Sequence, residues 1–309
     1  MSIPIKAITR EEYLSPGHRL CAGCGSALAI RLALKAIRGP TVVAQATGCV
    51  EVSTTIYPQT AWRIPWAHIL FENAAAVASG IVEAVKALRK KDILDKDIDV
   101  IAIAGDGGTF DIGIQALSGA LERGHDFVYL CYDNEAYMNT GIQRSGATPR
   151  GASTTTSPAG RVIPGKREVK KDLIGIAVAH GIPYAATASI AYPGDYIAKV
   201  RKAIEVDGPA VIHVLAPCPL GWGSEPSNTI KLARLAVQTR VFPIYEVIDG
   251  RYKLNVKVAK PTPVEEYLKL QRRFEHLFRP EFKDELEEIK RIIDERWNRL
   301  LELCGEKPA

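Results

Sequence analysis

Six cysteines in 309 residues are too few for a fold stapled by disulfides, and a reducing compartment would leave them as metal ligands or free thiols. No apolar run approaches the length of a bilayer span. The opening residues, Met1-Ser2-Ile3-Pro4-Ile5-Lys6, lack the basic and then apolar segments of a secretory leader, so a cytoplasmic protein with no membrane partner is expected. The formal net charge is only +5, with Lys and Arg spread among acids. No basic, aromatic-interleaved surface stands out, and no nucleic-acid partner is expected. Internal repeats and low-complexity blocks are absent. A GxGxxG after the first strand-like run is missing too, with no acidic residue where a dinucleotide ribose would need one, which argues against a Rossmann site.

What is present reads as alternating strand and helix up to about residue 220. Helices are expected at Ser26–Arg38, Glu72–Lys90, Asp111–Arg123, Val169–His180 and Gly194–Ile204. Strands are expected at Thr41–Ala46, Val100–Ala104, Phe127–Tyr132, Pro183–Thr187 and Ala210–Leu215. Such alternation predicts an α/β fold with a mainly parallel, doubly wound sheet. Beyond it, Phe242–Ile248 and Tyr252–Val258 flank Asp249-Gly250 and read as a hairpin. The segment to Cys304 is charged and helical, broken at Pro280. Between Thr140 and Arg167 lies a polar stretch rich in Gly, Ser, Thr and Pro, of the kind that is functional or mobile.

Gly105-Asp106-Gly107-Gly108 closes one strand and Asp133-Asn134-Glu135-Ala136 closes the next. Two strand ends would therefore offer Asp106 and Asn134 at the carboxyl edge of a parallel sheet, where open α/β folds bind ligands. Mg²⁺ takes one or two oxygens from side chains and the rest from water and phosphates. Asp106 and Asn134 suit that role, and the Ala136 carbonyl would complete the shell. Gly105, Gly107 and Gly108 carry no Cβ, which lets backbone approach a diphosphate near a helix N-terminus. Alone, GDGG also fits a tight connection. With Asn134 following, it resembles the thiamine diphosphate signature, GDG then roughly 25 to 30 residues then Asn.

Cys21-Ala22-Gly23-Cys24 precedes a helix, while Cys49 and Cys218 each follow a strand. Four thiolates suit tetrahedral zinc or an iron–sulfur cluster, and spacing alone leaves zinc, cluster and free thiols open. Cys131, inside an apolar run, reads as a small buried hydrophobe, and Cys304 as a packing thiol.

CAGCG, ATGCVEVSTTIYP, PWAHILFENAAAVASG, GDGGTFDIG, YDNEAYMNTGIQRSGATP and APCPLGW, in this order across residues 18 to 223, resemble the β subunit of 2-oxoacid:ferredoxin oxidoreductases, above all the pyruvate:ferredoxin type. The resemblance implies a thiamine diphosphate-binding α/β domain at residues 1–223 that also carries an iron–sulfur cluster. A C-terminal extension at 224–309 would contact partner subunits. It further implies thiamine diphosphate and Mg²⁺ on Gly105, Asp106, Gly107, Gly108, Asn134 and Ala136, and one [4Fe–4S] cluster on Cys21, Cys24, Cys49 and Cys218. Asn139 would face the reacting end of the thiamine, although its residue type equally suits a turn.

The implied activity is coenzyme A-dependent oxidative decarboxylation of a 2-oxoacid, pyruvate first and branched-chain acids next, with electrons passing to external ferredoxin. The implied partners are an α subunit that completes the thiamine site and γ and ferredoxin-like δ subunits. Two rivals are a non-oxidative thiamine enzyme and an inactive assembly scaffold, either with a structural metal. Glu51 and Glu72 are the local carboxylates that could activate thiamine. Glu72 reads better as a first-turn helix acid, which leaves activation to the α subunit. His68 reads as structural. Trp62, Trp66 and Trp222 read as screening or packing residues, and Arg144, Arg150, Lys166 and Arg167 as solvated charges.

Overall fold

The computed structural model describes residues 2–307. In chain order, α1 (Gly25–Leu34) leads into β1 (Thr41–Ala46), followed by α2 (Cys49–Thr54), β2 (Trp66–Ile69), α3 (Ala74–Lys90) and β3 (Asp99–Gly105). A π-helical turn, Gly107–Ile112, runs into α4 (Ile114–Glu122) and β4 (Val128–Asp133). Then come α5 (Leu173–Val178), β5 (Tyr184–Ser189), α6 (Pro193–Glu205), β6 (Ala210–Leu215), α7 (Pro219–Trp222) and α8 (Thr229–Gln238). The hairpin β7 (Tyr245–Ile248) and β8 (Arg251–Leu254) precedes α9 (Val264–Leu268), two 3₁₀ turns and α10 (Lys283–Leu303).

All eight strands form one sheet in the order β2-β1-β3-β4-β6-β5-β7-β8. Its first six strands are parallel and the last two are antiparallel. The central strands β4 and β6 are buried along their whole length, as continuous apolar runs covered on both faces must be. On one face α1 and α6 pack through Ile30, Leu34, Ile197 and Val200. On the other, α3, α4 and α5 pack through Ala78, Leu117 and Ile174, joined by Trp297 and Leu301 of α10. Asp249 and Gly250 have φ of 47° and 76°. Left-handed backbone at both central positions gives the twist that a two-residue hairpin needs.

The structure departs from the expected elements at several places, each with a local cause. The 49–54 and 66–69 segments are an extra short helix and an extra edge strand, too brief for periodicity to register. Helix α3 starts at Ala74, with Asn73 as its cap, so the exposed Glu72 lies ahead of the first turn rather than in it. The helix expected from Asp111 begins instead at the GDGG turn itself, in π geometry, which is common at functional sites. Helix α5 starts late because Asp172 caps it, accepting from the Gly175 N–H at 3.0 Å.

Candidate active site

Strands β1, β3, β4 and β6 are neighbours and parallel, so their carboxyl ends share one edge of the sheet. Each is followed at once by chemistry: Thr47-Gly48-Cys49 after β1, Asp106 after β3, Asn134 after β4 and Cys218 after β6. The first helix is tied to the same edge. The Gly25 N–H donates to the Pro217 carbonyl at 3.0 Å, and a Cβ at Gly25 would lie 2.5 Å from that oxygen. Only glycine allows this approach, and it brings Cys21 and Cys24 beside Cys218.

A cleft of about 560 Å³ opens at this edge, lined by Gly105, Asp106, Gly107, Asn134, Ala136, Asn139 and Cys49, with Tyr132, Tyr137 and Met138 among the remaining walls. Gly108 is buried behind it, and its missing Cβ leaves room for the Phe71 carbonyl, 2.9 Å from where that carbon would stand. At Gly107 the corresponding space holds the Tyr137 ring at 2.7 Å. These two glycines therefore serve close packing of the cleft's own walls. Asn139 sits exposed at the mouth, and its side chain takes part in none of the hydrogen bonds among the described residues.

Asp106 is buried, and its surroundings do not compensate its charge. Burial and then the neighbouring Asp133 carboxylate push its carboxyl well above the usual range, against a hydrogen bond from Ser145 and the Lys170 charge. Ser145 donates its hydroxyl to Asp106 Oδ2 at 2.5 Å, and the Asn134 N–H reaches Asp106 Oδ1 at 3.3 Å. The Asn134 amide lies with its oxygen 2.9 Å from Asp106 Oδ1 and 2.9 Å from the Ala136 carbonyl oxygen. Three acceptors at these separations repel unless something positive sits among them. Two arrangements relieve this: a half-turn of the amide, giving two hydrogen bonds, or a cation. In an octahedral Mg²⁺ shell with bonds of about 2.0–2.1 Å, adjacent oxygens stand about 2.9 Å apart.

The thiols form a second group a few residues away. Cys49 is pushed up to about 12, by burial first and then by its closeness to Cys218, Cys24, Cys21 and Asp106. Cys218 is raised to about 11 by burial and the neighbouring thiols, against an N–H from Gly221 at 3.4 Å, and burial raises Cys24 as well. All four therefore lie within electrostatic reach of one another. Among the described residues, no three His, Cys, Asp or Glu side chains converge as the shell of a single ion. Cys49 lines the cleft as well as belonging to this group, while Cys21 and Cys24 line a separate surface hollow.

Several side chains around the cleft had no signal in the sequence. Glu135, between Asn134 and Ala136, has φ of 68°. That conformation costs a non-glycine residue about 1–2 kcal/mol, so its surroundings must hold it. Its carboxylate is gripped by Lys170 at 2.8 Å and Arg273 at 2.5 Å, its N–H donates to Asp133 Oδ1 at 2.9 Å, and its carbonyl accepts from Thr148 at 2.7 Å. Lys170 also meets Asp133 at 2.5 Å, as does His213 at 2.6 Å. The polar stretch from Thr140 folds over the cleft, burying Ser145, Ala147, Thr148 and Ala152. Two of its five cations are held by protein groups rather than left to solvent. Lys166 is buried against the Thr148 carbonyl, and burial lowers its pKa to about 8. Arg150 makes a two-pronged pair with Glu285, at 2.6 and 3.0 Å.

Cys131 is fully buried among apolar neighbours. Glu51 is buried in α2 and faces His68 Nδ1 at 3.3 Å, and burial raises its carboxyl. Trp62 and Trp66 stack at 5.7 Å between ring centres, and the Trp222 indole N–H donates to the Asn134 carbonyl at 2.8 Å.

Residues 46–214 match the family described as thiamine pyrophosphate enzyme, C-terminal TPP binding domain, which is the class that this sheet edge and its GDG and Asn termini define. Within that class, the chain is 57% identical to pyruvate synthase subunit PorB of Methanocaldococcus jannaschii over 93% of its own length and 96% of the relative's. It is 48% identical to pyruvate synthase subunit PorB of Thermotoga maritima, covering 97% of this chain and 95% of that one. It is also 48% identical to ketoisovalerate oxidoreductase subunit VorB of Pyrococcus furiosus, covering 95% and 94%. The chain belongs to this family of 2-oxoacid oxidoreductase β subunits. The fold is shared with a 2-oxoglutarate:ferredoxin oxidoreductase from Magnetococcus marinus, at a TM-score of 0.57 and 20% identity over 74% of this chain and 82% of that one. No helix among the described residues is long and apolar enough to cross a membrane.

Proposed function

We propose that this chain is the β subunit of a pyruvate synthase, holding the diphosphate end of thiamine diphosphate through Mg²⁺ and one [4Fe–4S] cluster beside it. The observation that carries the reading is the convergence at the floor of the cleft of Asp106 Oδ1 and the Ala136 carbonyl on the end of the Asn134 side-chain amide, each 2.9 Å from it. With the amide oxygen turned inward, its two 2.9 Å separations match those of adjacent corners of a magnesium octahedron, and the buried, uncompensated Asp106 supplies the charge such an ion needs. Cys21, Cys24, Cys49 and Cys218 are the cluster ligands in this reading. Four thiols within electrostatic reach of one another at one sheet edge supply the ligand set that an iron–sulfur cluster takes.

Bound thiamine diphosphate would supply the electron sink for decarboxylating a 2-oxoacid, and the cluster would supply a one-electron path. The chain's own residues do the rest. Ser145 fixes the second oxygen of Asp106, so that Oδ1 alone faces Asn134. Tyr132, Tyr137, Phe71 and Met138 wall the cleft and limit water at the reacting end. Cys49 both lines the cleft and belongs to the thiol group, which supports a short electron path between a cofactor held in the cleft and a cluster held by the thiols. Asn139, which lines the cleft, is assigned to the reacting end of the thiamine.

Neither acid near the site is placed to activate thiamine: Glu72 is exposed ahead of α3, and Glu51 is turned to His68. That carboxylate is assigned to an α subunit, with γ and δ subunits and external ferredoxin completing the electron path and coenzyme A accepting the acyl group. The exposed parts of residues 224–309 are assigned to partner contacts. Pyruvate is preferred over branched-chain acids because the highest identities quoted above are to a pyruvate synthase subunit. The test is ferredoxin reduction by the reconstituted complex across pyruvate, 2-oxoisovalerate and 2-oxoglutarate. Pyruvate should give the highest kcat/KM, and a preference for 2-oxoisovalerate would overturn the substrate assignment.

A further inference from the structure

Arg273 lies in the C-terminal segment, in the first 3₁₀ turn after α9, yet it is buried at the centre of the site's supporting structure. One guanidinium nitrogen pairs with Glu135 Oε2 at 2.5 Å, and Gln271 Oε1 fixes the same group from Nε at 3.0 Å and from the terminal nitrogen at 2.8 Å. The plane of the guanidinium lies over the Trp222 ring, 4.0 Å from its centre. Trp222 ends the short helix that Cys218 caps, and its indole N–H holds the Asn134 carbonyl. A single side chain therefore touches, through one intermediary each, both the 134–136 backbone and the Cys218 helix.

We infer that Arg273 is a positioning residue for the magnesium end of the site. Glu135 must stay in the left-handed region for the Asn134 amide and the Ala136 carbonyl to face Asp106 together. Extended or right-handed backbone there would swing one of the two away. The carboxylate of Glu135 is the handle by which that conformation is held, and Arg273 and Lys170 hold the handle. Lys170 is shared with Asp133, whereas Arg273 has no other carboxylate among the described residues. Arginine suits this position where lysine would not, because the planar fork pairs with Glu135 and Gln271 while its face stacks on Trp222. The tail thus connects the diphosphate pole of the cleft to the thiol pole.

This inference rests on the magnesium reading above, and its test separates the two. In the assembled complex, Mg²⁺-dependent binding of thiamine diphosphate is measured by calorimetry for the parent, Asp106→Asn, Arg273→Lys, Glu135→Gly and the Arg273→Lys, Glu135→Gly double variant. Arg273→Lys should raise the half-saturating Mg²⁺ concentration about tenfold or more, as loss of an outer partner of a metal site does. Glycine adopts φ near 68° without a handle, so adding Glu135→Gly should recover most of that loss. A purely structural Arg273 would lower the unfolding midpoint without moving the Mg²⁺ dependence of the folded complex, and that result would overturn the inference. So would a loss from Arg273→Lys that is equally large with and without Glu135→Gly. If an Arg273 variant fails to assemble, Trp222→Phe decides alone. It removes the indole N–H to Asn134 and trims the ring beneath the Arg273 guanidinium, so both links from Arg273 through Trp222 weaken, and an unchanged Mg²⁺ dependence would count against the inference. Should Asp106→Asn itself leave Mg²⁺ dependence intact, the magnesium reading fails, whatever Arg273 does.

Discussion

Ser145→Ala removes one hydroxyl from the floor of the cleft and nothing else. In the folded chain that hydroxyl donates to Asp106 Oδ2 at 2.5 Å and accepts from the Ala147 N–H at 3.1 Å. It is the side-chain donor that offsets the burial of Asp106, and it leaves Oδ1 facing Asn134. A hydrogen bond to a charged group contributes about 1.5–3 kcal/mol, and losing an outer partner of a metal ligand typically costs about 10–100-fold in affinity, ranges that agree at about 1.4 kcal/mol per tenfold. The half-saturating Mg²⁺ concentration for thiamine diphosphate binding should therefore rise about 10–100-fold. Without the serine, Asp106 holds its proton to higher pH, so the loss should be larger at pH 6 than at pH 8. Calorimetric titration of the complex at both pH values measures this, with the cluster's visible absorption as the control that should not change. An unchanged Mg²⁺ dependence, or a loss independent of pH, would refute the assignment of Asp106 as the metal-facing carboxylate.

Three further outcomes follow from other contacts. Glu246, on β7, is pushed up by burial but held down to about 2 by hydrogen bonds from Lys202, Asn255 and Tyr184 and by the Lys202 charge. A depressed carboxyl contributes stability that is full above its unfolded value near 4.3 and is lost as pH falls through about 2. Glu246→Gln should thus cost about 3 kcal/mol by denaturant unfolding at pH 7, at about 1.36 kcal/mol for each pH unit of that depression, and progressively less below pH 4. Lys170→Met leaves Asp133 and Glu135 without their shared cation, and removing one partner from such a buried pair costs about 3–5 kcal/mol in the same assay. Gly221→Ala places a Cβ 2.2 Å from Met138 Sδ, in the turn that caps on Cys218. The end of the flexible Met138 side chain can give way, so the stability cost should stay at the low end of overpacking, about 1 kcal/mol, while the shift beside Cys218 should perturb the electron paramagnetic resonance signal of the reduced cluster.

How much of this was legible in the sequence follows from the range of each interaction. Asp106 and Asn134 stood out because strand ends and glycines are local signals. The Asp249-Gly250 hairpin stood out because only certain residues take left-handed backbone cheaply. The four cysteines were visible one by one, but their gathering depends on β1, β3, β4 and β6 being neighbours, which is a property of sheet order. Ser145, 39 residues after Asp106, and Arg273, 138 after Glu135, were invisible for a related reason. A serine in a polar loop and an arginine in a charged tail look like solvated residues until the chain is folded. Glu135 itself carried no mark of strain, since nothing in its residue type announces a positive φ. Lys166 misled in the same way, because its carbonyl partners come from Thr148 and Gly146 and only the folded loop supplies them.

The central claim is that one edge of one sheet carries both a magnesium–diphosphate site and an iron–sulfur cluster. The most direct measurement compares cofactor content in Asp106→Ala and Cys218→Ala complexes purified anaerobically. Asp106→Ala should lose thiamine diphosphate and magnesium while keeping all the iron and sulfide. Cys218→Ala should lose one cluster's worth of iron and sulfide while retaining thiamine diphosphate. Unchanged iron in Cys218→Ala, or full retention of thiamine diphosphate in Asp106→Ala, would contradict it.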